Sequence, residues 1–343
     1  MSIVFYGAGA IGSNLAGWLS EHYDPVYLLA RGENASTIKS RGLILYEMEK
    51  ENSINIPIKV ITDLNEIKPP EFIVISVKNY DLEEVAKDIH EKLGDAPIVI
   101  GLQNGIENQK ILPKYFSKVV YGVIMFSGWY DEPGIFGNRG KGEIILGTPT
   151  NERQEIIEKI KDIFILGFPT KISKRFNDTV HSKLILNNAN SIFTLIDNNN
   201  LTEKKRYKTV QLFIYTFLEG IEVLKKAGYK EYRLKGFPPW KLIKLAKKIG
   251  KGILLRAFSN SIKYAWFNSM AQDIVIRKRG KSEIDSLTGY FIRLAEKYNI
   301  DVPINKTLYN LCKEEFAKTP FKPLDVDIIF NRINENLEEK TKI

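Results

Sequence analysis

The chain has 343 residues, 44% of them apolar, enough for two ordinary domains each with its own core. A single cysteine, Cys312, excludes an internal disulfide and fits a reducing cytoplasm, and His22, His90 and His181 lie too far apart for metal-ligand spacing. A net charge of +9 would suit a nucleic-acid partner, but lysines and acids are interspersed and no aromatic-basic RNA motif occurs, so the expectation is a lysine-rich, anion-attracting surface. No apolar run reaches the roughly 18 residues of a membrane span. The start, SIVFYGAG, is apolar at once and lacks the basic region and cleavage site of a signal peptide. A cytoplasmic protein binding neither nucleic acid nor membrane is expected.

In chain order, SIVFY, PVYLL, EFIVISV, APIVIGL and VVYGVIMF read as buried strands, because apolar runs of this length bounded by turn residues fit a parallel sheet. IGSNLAGWLSEHY and DLEEVAKDIHEKLG between them have helical periodicity, and EIILGTP with NERQEIIEKIKDIF adds one more strand and helix. This alternation predicts an α/β, doubly wound, Rossmann-type domain. The character changes between 172 and 176. Beyond it KRYKTVQLFIYTFLEGIEVLKKAG, SIKYAWFNSMAQDIVIRKR and SEIDSLTGYFIRLAEKYNI read as helices, so the expected division is a Rossmann domain at 1–174 and an all-α domain at 175–343.

The first strand runs into GAGAIG, residues Gly7, Ala8, Gly9, Ala10, Ile11 and Gly12. In this strand-turn-helix context Gly7 permits the tight turn, Gly9 lets the backbone approach a pyrophosphate, and Gly12 lets helix and strand pack closely. Helix N–H groups and the helix dipole then hold the diphosphate. After the second strand the chain reads VYLLARGENAS. Arg31 stands where an acidic residue would hold a ribose 2′-hydroxyl, and an arginine fork suits a 2′-phosphate. The expected cofactor is NADP(H). Two later strands end in SVKNYD, offering Lys78, and GLQNGIEN, offering Gln103, Asn104 and Gly105. Such ends are where open α/β sheets bind ligands, although Asn-Gly is also an ordinary turn.

In HSKLILNNANSIFT, Lys183, Asn187, Asn190 or Ser191, and Thr194 form a polar stripe at helical spacing. It carries one amine, amides and hydroxyls and no carboxylate, whereas exposed helical faces usually mix both signs. Further on, WKLIKLAKKIG places Leu242, Leu245, Ala246 and Ile249 on one helical face and lysines around the rest. A core-capping helix is the simpler reading, and attachment to a partner or an anionic surface is the other.

Together these stretches resemble the ketopantoate reductase (2-dehydropantoate 2-reductase) family. The matching motifs are GAGAIGS, ARG, SVKNYD, LQNGIEN, PGIFGNRGKGEIILG, SKLILNNANSIFTL, NSMAQDI with KSEID, and YNIDVPIN, in the family's order over nearly the whole chain. The resemblance implies a Rossmann domain followed by a helical one, with the active site in the cleft between them. It implies NADPH-dependent reduction of a small 2-keto acid, with 2-dehydropantoate to (R)-pantoate in pantothenate biosynthesis as first choice. By the same resemblance Gly7 to Gly12, Arg31, Lys78 and Asn104 contact cofactor, Lys183 donates the proton and Glu283 faces the lysine and substrate. Asn104, Asn187, Ser191 and Ser269 are then substrate contacts, no metal is needed, and a homodimer is compatible with the reading. An ammonium at the keto oxygen stabilises growing negative charge and then gives up its proton. Because Glu283 lies about 100 residues downstream of Lys183, the further expectation is that cleft closure brings the pair together.

Three departures from the family pattern stand out. Ser191 and Ile192 occupy the place of the usual asparagine-proline, the interval from Ser269 to Glu283 is longer through RKRGK, and residues 228–252 add length. The first leaves open a paralogue acting on another 2-oxo compound or an imine. A non-enzymatic NADP-binding sensor is the alternative outside enzymes, disfavoured because it needs neither Lys183 nor Glu283.

Overall fold

The computed structural model describes residues 1–197, 201–246, 248–256, 268–278 and 280–341. The chain forms two compact units, Met1–Val180 and His181–Ile343.

In the first unit β1 (Ile3–Tyr6) leads into α1 (Ala10–Ser20), followed by β2 (Val26–Leu29) and α2 (Gly32–Arg41). Next come β3 (Leu43–Glu47), β4 (Ile54–Ile56), β5 (Lys59–Ile61), β6 (Phe72–Ile75), α3 (Leu82–Leu93) and β7 (Ile98–Gly101). A short α4 (Asn108–Ile111), β8 (Val119–Met125), β9 (Gly128–Glu132), β10 (Ile135–Asn138), β11 (Glu143–Gly147), α5 (Gln154–Phe164) and β12 (Thr170–Ile172) complete it. Eight strands form one sheet in the order β12-β11-β8-β7-β6-β1-β2-β5. Every residue of β1 and β6 is buried, because helices cover both faces of a parallel sheet. Phe5, Leu15, Leu28, Phe72, Ile100 and Phe164 belong to one core cluster, each contributing on the order of 1.5–3 kcal/mol by leaving water.

The predicted α/β alternation is present, with two additions. The strand in EIILGTP is antiparallel to β8, because the chain between them makes a β-hairpin and no helical crossover, and only a long crossover returns a strand parallel. A second, four-stranded sheet, β4-β3-β10-β9, was not foreseen. Its chain-distant members β3 and β10 pair in parallel.

In the second unit helices prevail as expected. The boundary between units falls inside α6 (Phe176–Leu195). The following α7 (Glu203–Lys226) is capped by Thr202, whose hydroxyl accepts from Lys205 N–H, and buries Val210, Phe213, Ile214, Phe217, Ile221 and Leu224 at three- and four-residue spacing. Helices also span Thr288–Lys297, Pro303–Phe316 and Val326–Thr341. Among the described residues no helix is long and apolar enough to cross a membrane.

Two helical readings need correction. In α8 (Trp240–Ala246) the buried residues are Trp240, Ile243 and Ala246, while Leu242 and Leu245 are 52% and 44% exposed. Trp240 carries the largest apolar surface and sets the rotation of so short a helix. SEIDSLTGYFIRLAEKYNI is helical only from Thr288; its first residues form turns. Of SIKYAWFNSMAQDIVIRKR, the part up to residue 267 and Arg279 lie outside the described residues. The rest is one α-turn, Ser269–Ala271, running into a π-helical segment, Gln272–Ile276.

Candidate active site

The turn between β1 and α1 assigns each glycine a different physical task. Gly7 has φ +113°, a conformation that penalises any side chain. A Cβ on Gly12 would lie 2.1 Å from the Gly7 carbonyl oxygen and 2.3 Å from Ser76 Oγ, so nothing larger fits there. At Gly9 a Cβ would meet nothing within 4 Å, which leaves an open cradle at the backbone. Helix α1 starts there with no side-chain cap and no acidic residue in its first turn. Its free N–H groups and positive end therefore suit a diphosphate, and Ala8, Ala10 and Ile11 lie on the same turn. Ser76, which motif reading missed, donates to the Gly7 carbonyl at 2.9 Å and holds the turn to β6.

Arg31 is exposed at the N-cap of α2. Its Nη2 donates to Tyr6 Oη at 2.6 Å. Asn34, one turn into α2, was also missed: its amide donates to the Ala8 carbonyl (3.3 Å) and its oxygen accepts from Gly134 N–H (3.0 Å). It ties the helix after β2 to the glycine turn. Asn138 of the PGIFGN motif performs a similar service for α1, donating to Asn14 Oδ1 at 2.8 Å.

The two later strand ends meet. Asn79 Nδ2 donates to the Asn104 carbonyl at 2.7 Å, bringing SVKNYD and LQNGIEN together. Lys78 is the N-cap of the single turn Asn79–Asp81 and is partly exposed, as is Asn104. Gln103 is buried and donates to the Ile75 and Val77 carbonyls at 2.9 and 3.1 Å, so its amide braces β7 against the end of β6.

Helix α6 carries the polar stripe, and the structure divides it by depth. Lys183 keeps partial exposure, yet protein atoms crowd its amine. Desolvation pushes its pKa down to about 8, against the raising effect of the Glu283 carboxylate. Glu283 is 5% exposed and sits in the turn before Thr288–Lys297. Both residues belong to the second unit, which corrects the expectation that closure between domains assembles the pair: the packing of one unit already brings the charges within reach. One helical turn on, Asn187 is 8% exposed, and its Nδ2 is buried with no hydrogen-bond partner. Leaving such a donor unmet costs about 1–3 kcal/mol, so this position calls for an acceptor.

The neighbouring residues serve the helix. Asn188 donates to Asn305 Oδ1 (3.2 Å) and accepts from Thr288 Oγ1 (3.3 Å), while Asn305 Nδ2 donates to Glu219 Oε2 (2.7 Å). Glu219 also accepts from the first N–H groups of Pro303–Phe316, at Ile304 and Asn305. Burial nonetheless holds its carboxyl above the usual range. Ser191 is 1% exposed; its hydroxyl donates to the Asn188 carbonyl at 2.7 Å. Thr194 donates to the Asn190 carbonyl (2.8 Å) and reaches Asn268 Oδ1 (3.2 Å). Asn268 in turn caps the Ser269–Ala271 turn by accepting from Met270 and Ala271 N–H, so the end of the stripe anchors the turn that presents Ser269. His181, two residues before the lysine, is buried, stacks on Tyr229 at 3.6 Å between ring centroids and shares a 2.7 Å hydrogen bond with Tyr290.

Comparison with known proteins agrees with this arrangement of two units. Residues 3–151 match the family described as ketopantoate reductase PanE/ApbA, and residues 175–315 match its C-terminal part. The 2-dehydropantoate 2-reductase of Pyrococcus abyssi is 28% identical over 92% of this chain and 98% of its own. That of Aquifex aeolicus is 26% identical over 91% and 96%. The fold matches 2-dehydropantoate 2-reductase from Geobacter metallireducens at TM-score 0.73, with 19% identity over 92% of this chain and 99% of the other. It also matches a D-mandelate dehydrogenase solved with NADH and anilino(oxo)acetate at TM-score 0.71, with 18% identity over 97% and 99%. Since the two family matches follow one another along most of the chain, the protein belongs to the ketopantoate reductase PanE/ApbA family.

Proposed function

We propose that this protein reduces a 2-keto acid to the 2-hydroxy acid, with ketopantoate (2-dehydropantoate) as substrate and NADPH as reductant. The observation that carries the reading is the desolvated Lys183 amine, with pKa about 8 under the influence of Glu283, one turn from the unmet Asn187 donor. Bound reduced nicotinamide supplies the hydride. Lys183 faces the charge that grows on the keto oxygen, then transfers its proton there and is recharged from solvent. Its lowered pKa makes it a stronger acid than an ordinary lysine while leaving it mostly protonated at neutral pH. Glu283 orients the amine and the substrate hydroxyl. Asn187 donates to substrate oxygen, and Asn104 and Ser269 complete substrate binding. We assign nucleotide binding to residues 1–174, through Gly7 to Gly12, Arg31, Lys78 and Asn104, and the proton and the substrate contacts other than Asn104 to 175–343.

Ser191 favours a second reading. Its hydroxyl is committed to Asn188, so the contact that the family's asparagine would make is not replaced, and another 2-oxo acid or an imine would find room. The discriminating experiment is a steady-state screen of NADPH and NADH oxidation against ketopantoate, other branched 2-keto acids, and keto acid with amine. Ketopantoate with the highest kcat/KM supports the first reading; preference for another substrate supports the second. Arg31→Asp should move preference from NADPH toward NADH, and an unchanged preference would remove the phosphate-reading role.

A further inference from the structure

The Arg31 guanidinium does not stand alone at the end of β2. Tyr6, the last residue of β1, is 2% exposed, yet its hydroxyl emerges to meet two partners. It donates to Asp88 Oδ2 at 2.8 Å and accepts from Arg31 Nη2 at 2.6 Å. The guanidinium carbon lies 5.7 Å from the Tyr6 ring centroid. Asp88, on α3, is itself fixed by Lys92 at 2.8 Å, and Lys92 reaches Asp63 at 2.6 Å.

The order of these contacts matters chemically. A phenol has one proton to give, and a carboxylate can only accept. Asp88 therefore commits the Tyr6 proton and turns the oxygen's lone pair toward Arg31. Burial, reinforced by Asp88, holds the phenol well above its usual range, so it stays neutral. Arg31 is thus gripped by a neutral atom that takes one of its five N–H donors, and the Asp63 carboxylate whose field also reaches it is already paired with Lys92. A carboxylate in direct contact would have neutralised the charge a phosphate needs.

We propose that Tyr6, aimed by Asp88, is a positioning residue that pre-orders Arg31 for the 2′-phosphate of NADP(H) and so sets the discrimination between the two nicotinamide cofactors. This rests on the reading of Arg31 as the phosphate contact.

The test is calorimetric titration of the full chain with adenosine 2′,5′-bisphosphate and with adenosine 5′-monophosphate, in wild type, Tyr6→Phe and Arg31→Ala. Phe keeps the packed ring and removes only the hydroxyl. Tyr6→Phe should weaken the bisphosphate about fivefold to tenfold, as for loss of one net hydrogen bond, and leave the monophosphate within about twofold; Arg31→Ala should abolish the preference. Full discrimination retained in Tyr6→Phe, or equal weakening of both ligands, overturns the proposal and leaves the Arg31 reading intact. A wild type that does not distinguish the ligands, or an Arg31→Ala protein that still does, overturns both.

Discussion

Titrating activity against pH examines the Lys183 assignment most directly. With its pKa lowered to about 8, roughly nine-tenths of the amine is protonated at pH 7 and about one part in a hundred at pH 10. If this proton goes to the keto oxygen, kcat/KM should be level from pH 6 to 7, bend near 8, and then fall about tenfold for each further pH unit. The same quantity in Glu283→Gln supplies the sign. The carboxylate raises the lysine's pKa against the dominant desolvation, so removing its charge should move the bend to lower pH and depress activity at pH 7.5 more than at pH 6. The assay is initial-rate oxidation of NADPH with ketopantoate over this range, with enzyme integrity checked by return to neutral pH. A profile flat through pH 10, or a bend that moves upward in Glu283→Gln, would refute the reasoning.

Lys183→Ala should lower kcat by two or more decades with NADPH affinity unchanged, as steady-state rates and ligand titration would show. Asn187→Leu removes a buried unmet donor, so urea unfolding should show stability held or raised by about 1 kcal/mol while KM for the keto acid rises; a loss of stability would mean the amide is satisfied. The glycines separate by mechanism. Gly12→Ala meets backbone at 2.1 Å and should destabilise the protein, whereas Gly9→Ala enters open space and should fold normally but weaken dinucleotide binding, seen by thermal melting with and without NADPH.

The readable parts of this molecule are those where one physical pattern dominates. The strands β1, β6, β7 and β8 are continuous apolar runs because both faces of the main sheet are covered. The second sheet escaped notice because Gly128, Gly137 and polar residues interrupt its short strands, and its central pair joins residues some ninety positions apart. No local periodicity reports such a pairing. In the stripe, spacing identified the helix and its polar residues but not their depth. Asn188 and Thr194 take partners from other segments and Ser191 bonds back to its own helix, whereas Asn187 Nδ2 meets no acceptor, and sequence spacing is blind to that. The place of Arg31 after β2 was legible; its hydrogen bond to Tyr6 was not, because a tyrosine ending a buried strand reads as core.

Helix α6 holds its amine, its unmet amide and its packed polar neighbours on one rod, each direction fixed by its place in the count. A residue deleted just after Lys183 would rotate everything beyond it by about 100° and bring Asn188 into the position of Asn187, and an added one would bring Leu186 there. Change within this stretch is therefore tolerated as exchange of side chains at constant length and not as insertion or deletion.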